Sequence, residues 1–400
     1  MADTQYLIVG GGLAAASAIE GIRELDPNGS ITLISAEREL PYHRPPLSKG
    51  FLAGRELVDS IRVHDAAWYR DNKVKVRLGQ VARSVHMGKQ GVTLESGERV
   101  SYERLLLCTG ASARRLSVPG ADLEGILYLR SLEDCYDLKR AIQSGARLVI
   151  CGGGFIGMEV AATARHLGVS VTVLEASNVV YRAFASAELS AYFLSLLASQ
   201  GVTVKTASRV ARFLPGNNGR VAAVQIDDGT QVPADVVLVG AGAEPNTGWL
   251  ATSGFAIDRG GLIVNVRLET QGKNVWAAGD IARFPDPVSK QPRRLEHWDN
   301  ALHQGKQAGR NMAGAGEAYT HQSAFFSDLL DITINVLGDT DQPDEVTIRG
   351  NTDEAAPSFT ALYRRGGRLA GAVMVNLNTE DRSAEFAMLQ QHIAAGTMPE

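Results

Sequence analysis

Two stretches of the sequence have the residue types and spacing to hold a pyrophosphate. "YLIVGGGLAAASA" begins at Tyr6 and "LVICGGGFIGMEVAA" at Leu148. Each is a short apolar run that stops at three glycines and passes into helix-forming residues. In a strand–turn–helix of this kind the first glycine (Gly10, Gly152) permits the turn. The middle one (Gly12, Gly154) lets backbone N–H groups reach phosphate oxygens, and the small third residue (Ala15, Gly157) sets how closely helix packs on strand. The helix N-terminus then faces the negative charge.

A carboxylate accompanies each turn. Glu175 follows "VTVL" and lies 21 residues beyond Gly154. At that point a carboxylate accepts hydrogen bonds from an adenosine ribose and repels a 2′-phosphate. Residues 176–178 include no arginine, and Arg182 is the nearest base, so the pattern selects NADH over NADPH. In the first copy "LISAERE" offers Glu37. Two dinucleotide sites in one chain imply electron transfer between the ligands, with FAD in one and NAD in the other.

The elements needed to position these residues are legible around them. Gln5–Val9, Leu13–Leu25 and Ser30–Ile34 read as a βαβ unit. Val92–Ser96 and Val100–Ser101 flank a hairpin turn, and Leu105–Cys108 reads as a buried strand. The pattern restarts 142 positions after Gly10, with a strand at Leu148–Cys151, a turn over Gly152–Gly157, a helix over Met158–Leu167 and a strand at Val169–Leu174. Strand runs at Val202–Thr206, Val221–Ile226, Val232–Pro233 and Val236–Val239 come next, then "VWAAGDIARF" and a helix over Asp299–Met312. Beyond Thr320 come strand-like pieces at Ile332–Leu337, Glu345–Arg349, Phe359–Arg364 and Arg368–Val375, and a last helix at Ala384–Ala395. The fold class is α/β: two Rossmann-like dinucleotide-binding domains plus a C-terminal α+β domain.

Composition narrows the function classes. A net charge of −4 and a pI near 6.1 argue against nucleic-acid binding. No run approaches about 20 uncharged apolar residues, so no membrane span is expected. An acid near the start, Asp3, argues against a secretory signal, and the cytoplasm is the expected location. Three cysteines (Cys108, Cys135, Cys151) form no C-x-x-C pair. That excludes a disulfide framework and an iron–sulfur cluster of the chain's own. Cys108 and Cys151 end apolar runs and read as buried, which makes a thiol relay improbable. No His/Cys group has metal-ligand spacing; His297 and His303 lie six apart.

In order along the chain, "IVGGGLAAASA", "LPYHRPPLSK", "LLLCTGA", "ICGGGFIGMEVAA", "VWAAGDIARF" and "EHWDNALHQGKQAGRNM" resemble the FAD-dependent, NADH-oxidising ferredoxin reductases of bacterial oxygenase systems, the putidaredoxin and biphenyl dioxygenase reductase group. The resemblance spans essentially the whole chain, and "RPPLSK" is its most specific part. It implies a glutathione-reductase-like arrangement, with segments 1–113 and 241–318 for FAD, 114–240 for NAD and 319–400 for the C-terminal α+β domain. It implies that Gly10, Gly12, Leu13 and Ala14 line the FAD pyrophosphate, with Glu37 toward the adenosine ribose and Val81 at the adenine end. Arg44 and Lys49 approach the flavin, Thr109, Gly110 and Arg130 touch FAD from the crossover region, Asp280 binds the ribityl chain or phosphate, and Trp298 presents its backbone to the ring. On the NAD side it implies Gly154, Phe155, Ile156, Glu159 and Glu175, with Gly242 near the nicotinamide arm; Gly152 and Arg182 are also expected to contact NAD. Lys49 and Glu159 are expected to form an ion pair beside the site of hydride transfer.

The implied partner is a small iron–sulfur carrier, a ferredoxin, with Lys290, Arg293 and Arg294 as either a docking run or a solvated loop. One departure stands out. "SAFFSDL" has Ala324, Phe325 and Phe326 where relatives carry proline and tryptophan. The alternatives are a redox-sensing binding flavoprotein like apoptosis-inducing factor, and a quinone or monodehydroascorbate reductase.

Overall fold

The computed structural model describes residues 2–399. It divides into two compact units. One comprises Met1–His43, Val58–Ser112 and Glu244–Ser323; the other comprises Arg44–Leu57, Ala113–Ala243 and Ala324–Glu400.

The first unit is built on a seven-stranded sheet whose parallel part runs, in spatial order, Val74–Arg77, Ile31–Ile34, Thr4–Val9, Arg99–Leu107 and Val275–Ala277. Parallel strands are covered on both faces and so read as continuous apolar runs. Tyr6, Leu7, Ile8 and Val9 are accordingly all buried, as are Leu105, Leu106 and Leu107. The two runs expected near 100 and 105 are a single strand, Arg99–Leu107. Its beginning pairs antiparallel with Gly91–Leu94, and its remainder pairs parallel with Thr4–Val9. Burial alternates through the hairpin half, with Val100 and Tyr102 buried and Glu103 exposed, and becomes continuous only from Leu105, while the backbone stays extended throughout.

Helices Leu13–Leu25 and Trp298–Met312 pack on this sheet with their backbones in contact. A Cβ on Gly305 would sit 2.3 Å from Ala14 O, and one on Gly309 would sit 2.1 Å from Ala18 O. Small residues along both helices permit this approach.

The second unit repeats the arrangement. Its parallel sheet has the order Thr203–Lys205, Ser170–Leu174, Arg147–Cys151, Val236–Val239, Ile126–Leu127. The two copies share their decisive hydrogen bonds. Gly10 N donates to Ile34 O at 2.9 Å and Gly152 N to Leu174 O at 2.8 Å, while Cys108 N donates to Val9 O and Gly240 N to Cys151 O, both at 2.9 Å. The second fingerprint helix spans Phe155–His166 rather than Met158–Leu167, because Gly154 is its N-cap and Gly157 lies inside its first turn. A helix at Ala187–Ser199, capped by the Ser186 side chain on Leu189 N, adds to the sequence-based expectations.

The C-terminal segment forms a five-stranded antiparallel sheet in the order Ala324–Leu329, Ile332–Gly338, Arg368–Leu377, Ser358–Arg365, Glu345–Asn351, with helix Ser383–Ala395 after it. Gly366 and Gly367 both take positive φ in the last hairpin, as a tight two-residue turn requires.

The helix crossing is testable. G309V should destabilise by about 1–3 kcal/mol through overpacking and lower Tm. G248A, where an added Cβ meets nothing within 4 Å, should leave Tm unchanged.

Candidate functional site

In the first unit Gly10 adopts φ +134°, and a Cβ there would lie 2.1 Å from Cys108 O. Only glycine meets both conditions. Gly12 is different: it caps helix Leu13–Leu25 without a side-chain hydrogen bond, and a Cβ on it would meet nothing within 4 Å. The turn is therefore wedged against the sheet on its inner side and open at the helix N-terminus. No acidic residue occupies that first turn, where Leu13 and Ala14 lie.

Other expected residues of this unit are held in defined positions. Glu37 accepts the Tyr42 hydroxyl at 2.5 Å. Val81 is half-buried and its carbonyl accepts Glu95 N. Thr109 and Gly110 are fixed by Asn246, whose Nδ2 donates to Thr109 O at 3.0 Å and whose N donates to Gly110 O at 2.9 Å. Asp280 is buried in the 3₁₀ turn Gly279–Ile281. Gln304, fully buried, accepts Gly279 N at 2.9 Å through Oε1, while its Nε2 has no hydrogen-bond partner. Trp298 opens the second helix and donates from Nε1 to His43 Nδ1 at 3.0 Å. An uncapped helix end over an open glycine, with a buried orphan amide donor, fits a dinucleotide such as FAD.

The second unit carries the companion turn. Gly152 has φ +125°, with Gly240 O 2.3 Å from where its Cβ would be. Gly154 again caps without a side chain, is exposed, and leaves its Cβ position open. At the third small position the two copies differ, since a Cβ on Gly157 would meet Gly152 O at 2.1 Å, whereas Ala15 carries one. Glu175 accepts Gly153 N at 2.6 Å and Ser177 N at 2.7 Å, which fixes its carboxylate beside the glycine turn. Each oxygen keeps a second lone pair for a ribose hydroxyl. Phe155 packs edge-on against Tyr181, Phe184 and Phe325 at centroid distances of 5.1, 5.4 and 5.0 Å. Ile156, Arg182 and Gly242 are exposed. With an open Cβ position and an uncapped helix end here too, these residues fit a second dinucleotide.

Lys49 and Glu159 also meet within this unit, at 2.8 Å, with side-chain exposures of 18% and 4%. Lys49 caps the C-terminal end of the 3₁₀ segment Pro45–Ser48, which the two prolines start. Glu159 additionally accepts the hydroxyls of Ser48 and Ser327, each at 2.5 Å, and Ser48 O accepts Thr163 Oγ1 at 2.8 Å. A buried carboxylate is tolerated when its lone pairs are filled and a cation faces it. Ser48 and Ser327 are not among the residues expected from the sequence; their one signal is that they lie within "RPPLSK" and "SAFFSDL". Alternation along the strand turns Phe325 and Ser327 toward helix Phe155–His166 and leaves Phe326 exposed. Arg44 donates to Arg130 O at 2.5 Å, so these two also lie in the second unit.

The basic run is partly neutralised. Arg293 pairs with Asp286 at 3.2 Å and Arg294 with Glu296 at 2.6 Å. The three cysteines are free and buried, and burial pushes each thiol up to about 12. Among the described residues, no helix is long and apolar enough to cross a membrane.

Residues 4–305 match the pyridine nucleotide-disulphide oxidoreductase family, and residues 324–400 match the reductase C-terminal family. The chain belongs to the pyridine nucleotide-disulphide oxidoreductase family. It is 36% identical to the biphenyl dioxygenase system ferredoxin–NAD(+) reductase component of Paraburkholderia xenovorans, over 95% of this chain and 91% of that one. It is 35% identical to a ferredoxin–NAD(P)(+) reductase of a Sphingomonas species, over 94% and 91%. The fold is similar to the reductase in the covalent putidaredoxin reductase–putidaredoxin complex, with a TM-score of 0.91 and 31% identity over 99% of this chain and 94% of that one. The chain is thus an oxidoreductase that uses FAD and a pyridine nucleotide.

The thiols give a pH-dependent prediction. With pKa values raised to about 12, they remain protonated at pH 8, and only the thiolate reacts. Iodoacetamide at pH 8 should label the native protein at least about a hundredfold more slowly than the urea-unfolded chain, whose thiols ionise near pH 8.5. Mass spectrometry of the labelled peptides checks this.

Proposed function

We propose that the chain is an NADH-dependent flavoprotein reductase that delivers electrons to a small iron–sulfur protein of the ferredoxin type, supplying an oxygenase. The observation that carries this is the combination of two dinucleotide cradles with three buried, protonated thiols. An enzyme of this family that lacks an ionisable thiol must pass electrons outward by another route, and a one-electron carrier is the simplest acceptor. The similar ferredoxin reductases support it. Free cysteines also suit a reducing, cytoplasmic setting.

Bound FAD supplies the chemistry that turns a two-electron hydride into single electrons. The protein positions and tunes. Gly10, Gly12, Leu13 and Ala14 would bind its pyrophosphate through backbone N–H groups, with Glu37, Val81, Thr109, Gly110, Asp280 and Trp298 as further contacts. Arg44 and Arg130 are assigned to FAD on the resemblance alone. Gly152, Gly154, Phe155, Ile156 and Gly242 would receive NADH, and Glu175 would take its ribose and repel a 2′-phosphate. Arg182, exposed, is assigned to NAD as a further contact. Lys49 holds a positive charge for the hydride-transfer step; Glu159 fixes it, and Ser48 and Ser327 fix Glu159.

Three measurements test these assignments. In stopped flow, NADH should bleach the flavin rapidly, and cytochrome c reduction should then require added ferredoxin. Slow reduction to a long-lived, air-resistant state would favour a binding flavoprotein instead. E175Q, which removes charge but keeps an acceptor, should raise the NADPH/NADH ratio of kcat/KM by about tenfold or more; an unchanged ratio contradicts the carboxylate's role. K49M and E159Q should each slow flavin reduction with FAD content intact, and the double variant should be no slower than the worse single one, as groups acting as a unit are non-additive.

A further inference from the structure

Helix Trp298–Met312 carries Asp299 and His303 four residues apart, on one face. The extended segment after this helix brings back His321. Asp299 Oδ1 lies 3.3 Å from His303 Nε2, and Asp299 Oδ2 lies 2.6 Å from His321 Nε2. The two imidazoles stack with centroids 3.6 Å apart and planes 20° from parallel. One ligand atom from each of the three residues lies within 4.8 Å of the others. Sequence spacing hides this group, because His321 joins it through the fold and not through a motif.

The group is held in place from behind. Tyr319 and Ser323 flank His321, and their hydroxyls both donate to Asn300 Oδ1, at 3.2 and 3.1 Å. Asn300 is fully buried and adjoins Asp299. The segment bearing His321 is thereby fixed against the helix that bears the other two. The side chains are still open to solvent, with exposures of 23% for Asp299, 41% for His303 and 29% for His321, so an ion can enter.

We propose that Asp299, His303 and His321 form a binding site for a divalent cation of the zinc class. Two imidazole nitrogens and one carboxylate oxygen suit Zn²⁺, Co²⁺, Ni²⁺ or Cu²⁺; Mg²⁺ and Ca²⁺ prefer all-oxygen sets. Two ligand atoms of a tetrahedral zinc are about 3.3 Å apart at the usual bond lengths; the carboxylate lies 3.3 and 2.6 Å from the two imidazole nitrogens, and the stacked rings would turn about their side-chain bonds so that both ring planes contain the ion. Coordination would replace the Asp299–His321 hydrogen bond and the Asp299–His303 contact, with water completing the shell. The loaded ion would tie the segment after the helix to the helix start. The site is independent of the identity of the electron acceptor.

The test is calorimetry of Zn²⁺ and Mg²⁺ on the FAD-containing, chelator-treated protein, with thermal denaturation alongside. The expected result is one Zn²⁺ per chain at micromolar or tighter affinity, no saturable Mg²⁺ binding, and a Tm that rises with Zn²⁺. H303Q and H321Q, at partly exposed positions that should not disturb folding, should each weaken Zn²⁺ binding by about tenfold or more and abolish the Tm rise. Absence of saturable Zn²⁺ binding would overturn the site. Binding that is undiminished in both variants would also overturn it, by placing the ion elsewhere, for example on the cysteines.

Discussion

Both cradles depend on a backbone carbonyl that leaves no room for a side chain. Cys108 O faces Gly10, and Gly240 O faces Gly152, each closer than any Cβ could approach. Positive φ at the same two glycines turns the chain sharply out of its strand. The helix therefore starts with its N-terminus bare at Gly12 or Gly154, and a bare helix end is where a phosphate is best received. Matching hydrogen bonds from Gly10 and Gly152 to the ends of the next strands lock the turn in the same register in both units.

The two turns have different surroundings. The first is backed by the close crossing of two helices at Gly305 and Gly309, and by Gln304 reaching the Gly279 turn. The second is backed by Glu175 on its own glycine turn, a cluster of aromatic rings around Phe155, and the buried Glu159 with its lysine and two serines. One duplicated backbone device thus carries two different side-chain environments, which is what a permanently held cofactor and an exchanging one would require.

Much of this is legible in the residues, since local rules govern it. Apolar runs ending in glycine, a helix directly after them and a carboxylate at the next strand end are short-range features, and the two parallel sheets result from them. Residues brought together by tertiary packing are not legible in that way. Ser48 and Ser327 reach Glu159 from distant parts of the chain, and nothing in their spacing marks them. Likewise the segment Arg44–Leu57 belongs to the second unit although it lies between pieces of the first. Lys49 ends a 3₁₀ turn because Pro45 and Pro46 start it early, and Gly157 sits within a helix because the N-cap falls at Gly154. The helix start thus lies a few residues before the expected Met158.

Whether one cradle holds FAD while the other receives NADH is tested most directly at Gly12 and Gly154. These are matched positions, since a Cβ at either meets no protein atom within 4 Å and projects into the cradle. Flavin content and flavin reduction should be measured in G12V and G154V. G12V should purify without FAD; G154V should keep one FAD per chain, be reduced by dithionite, and fail with NADH. Full FAD content in G12V, or loss of FAD from G154V, would contradict this division of roles.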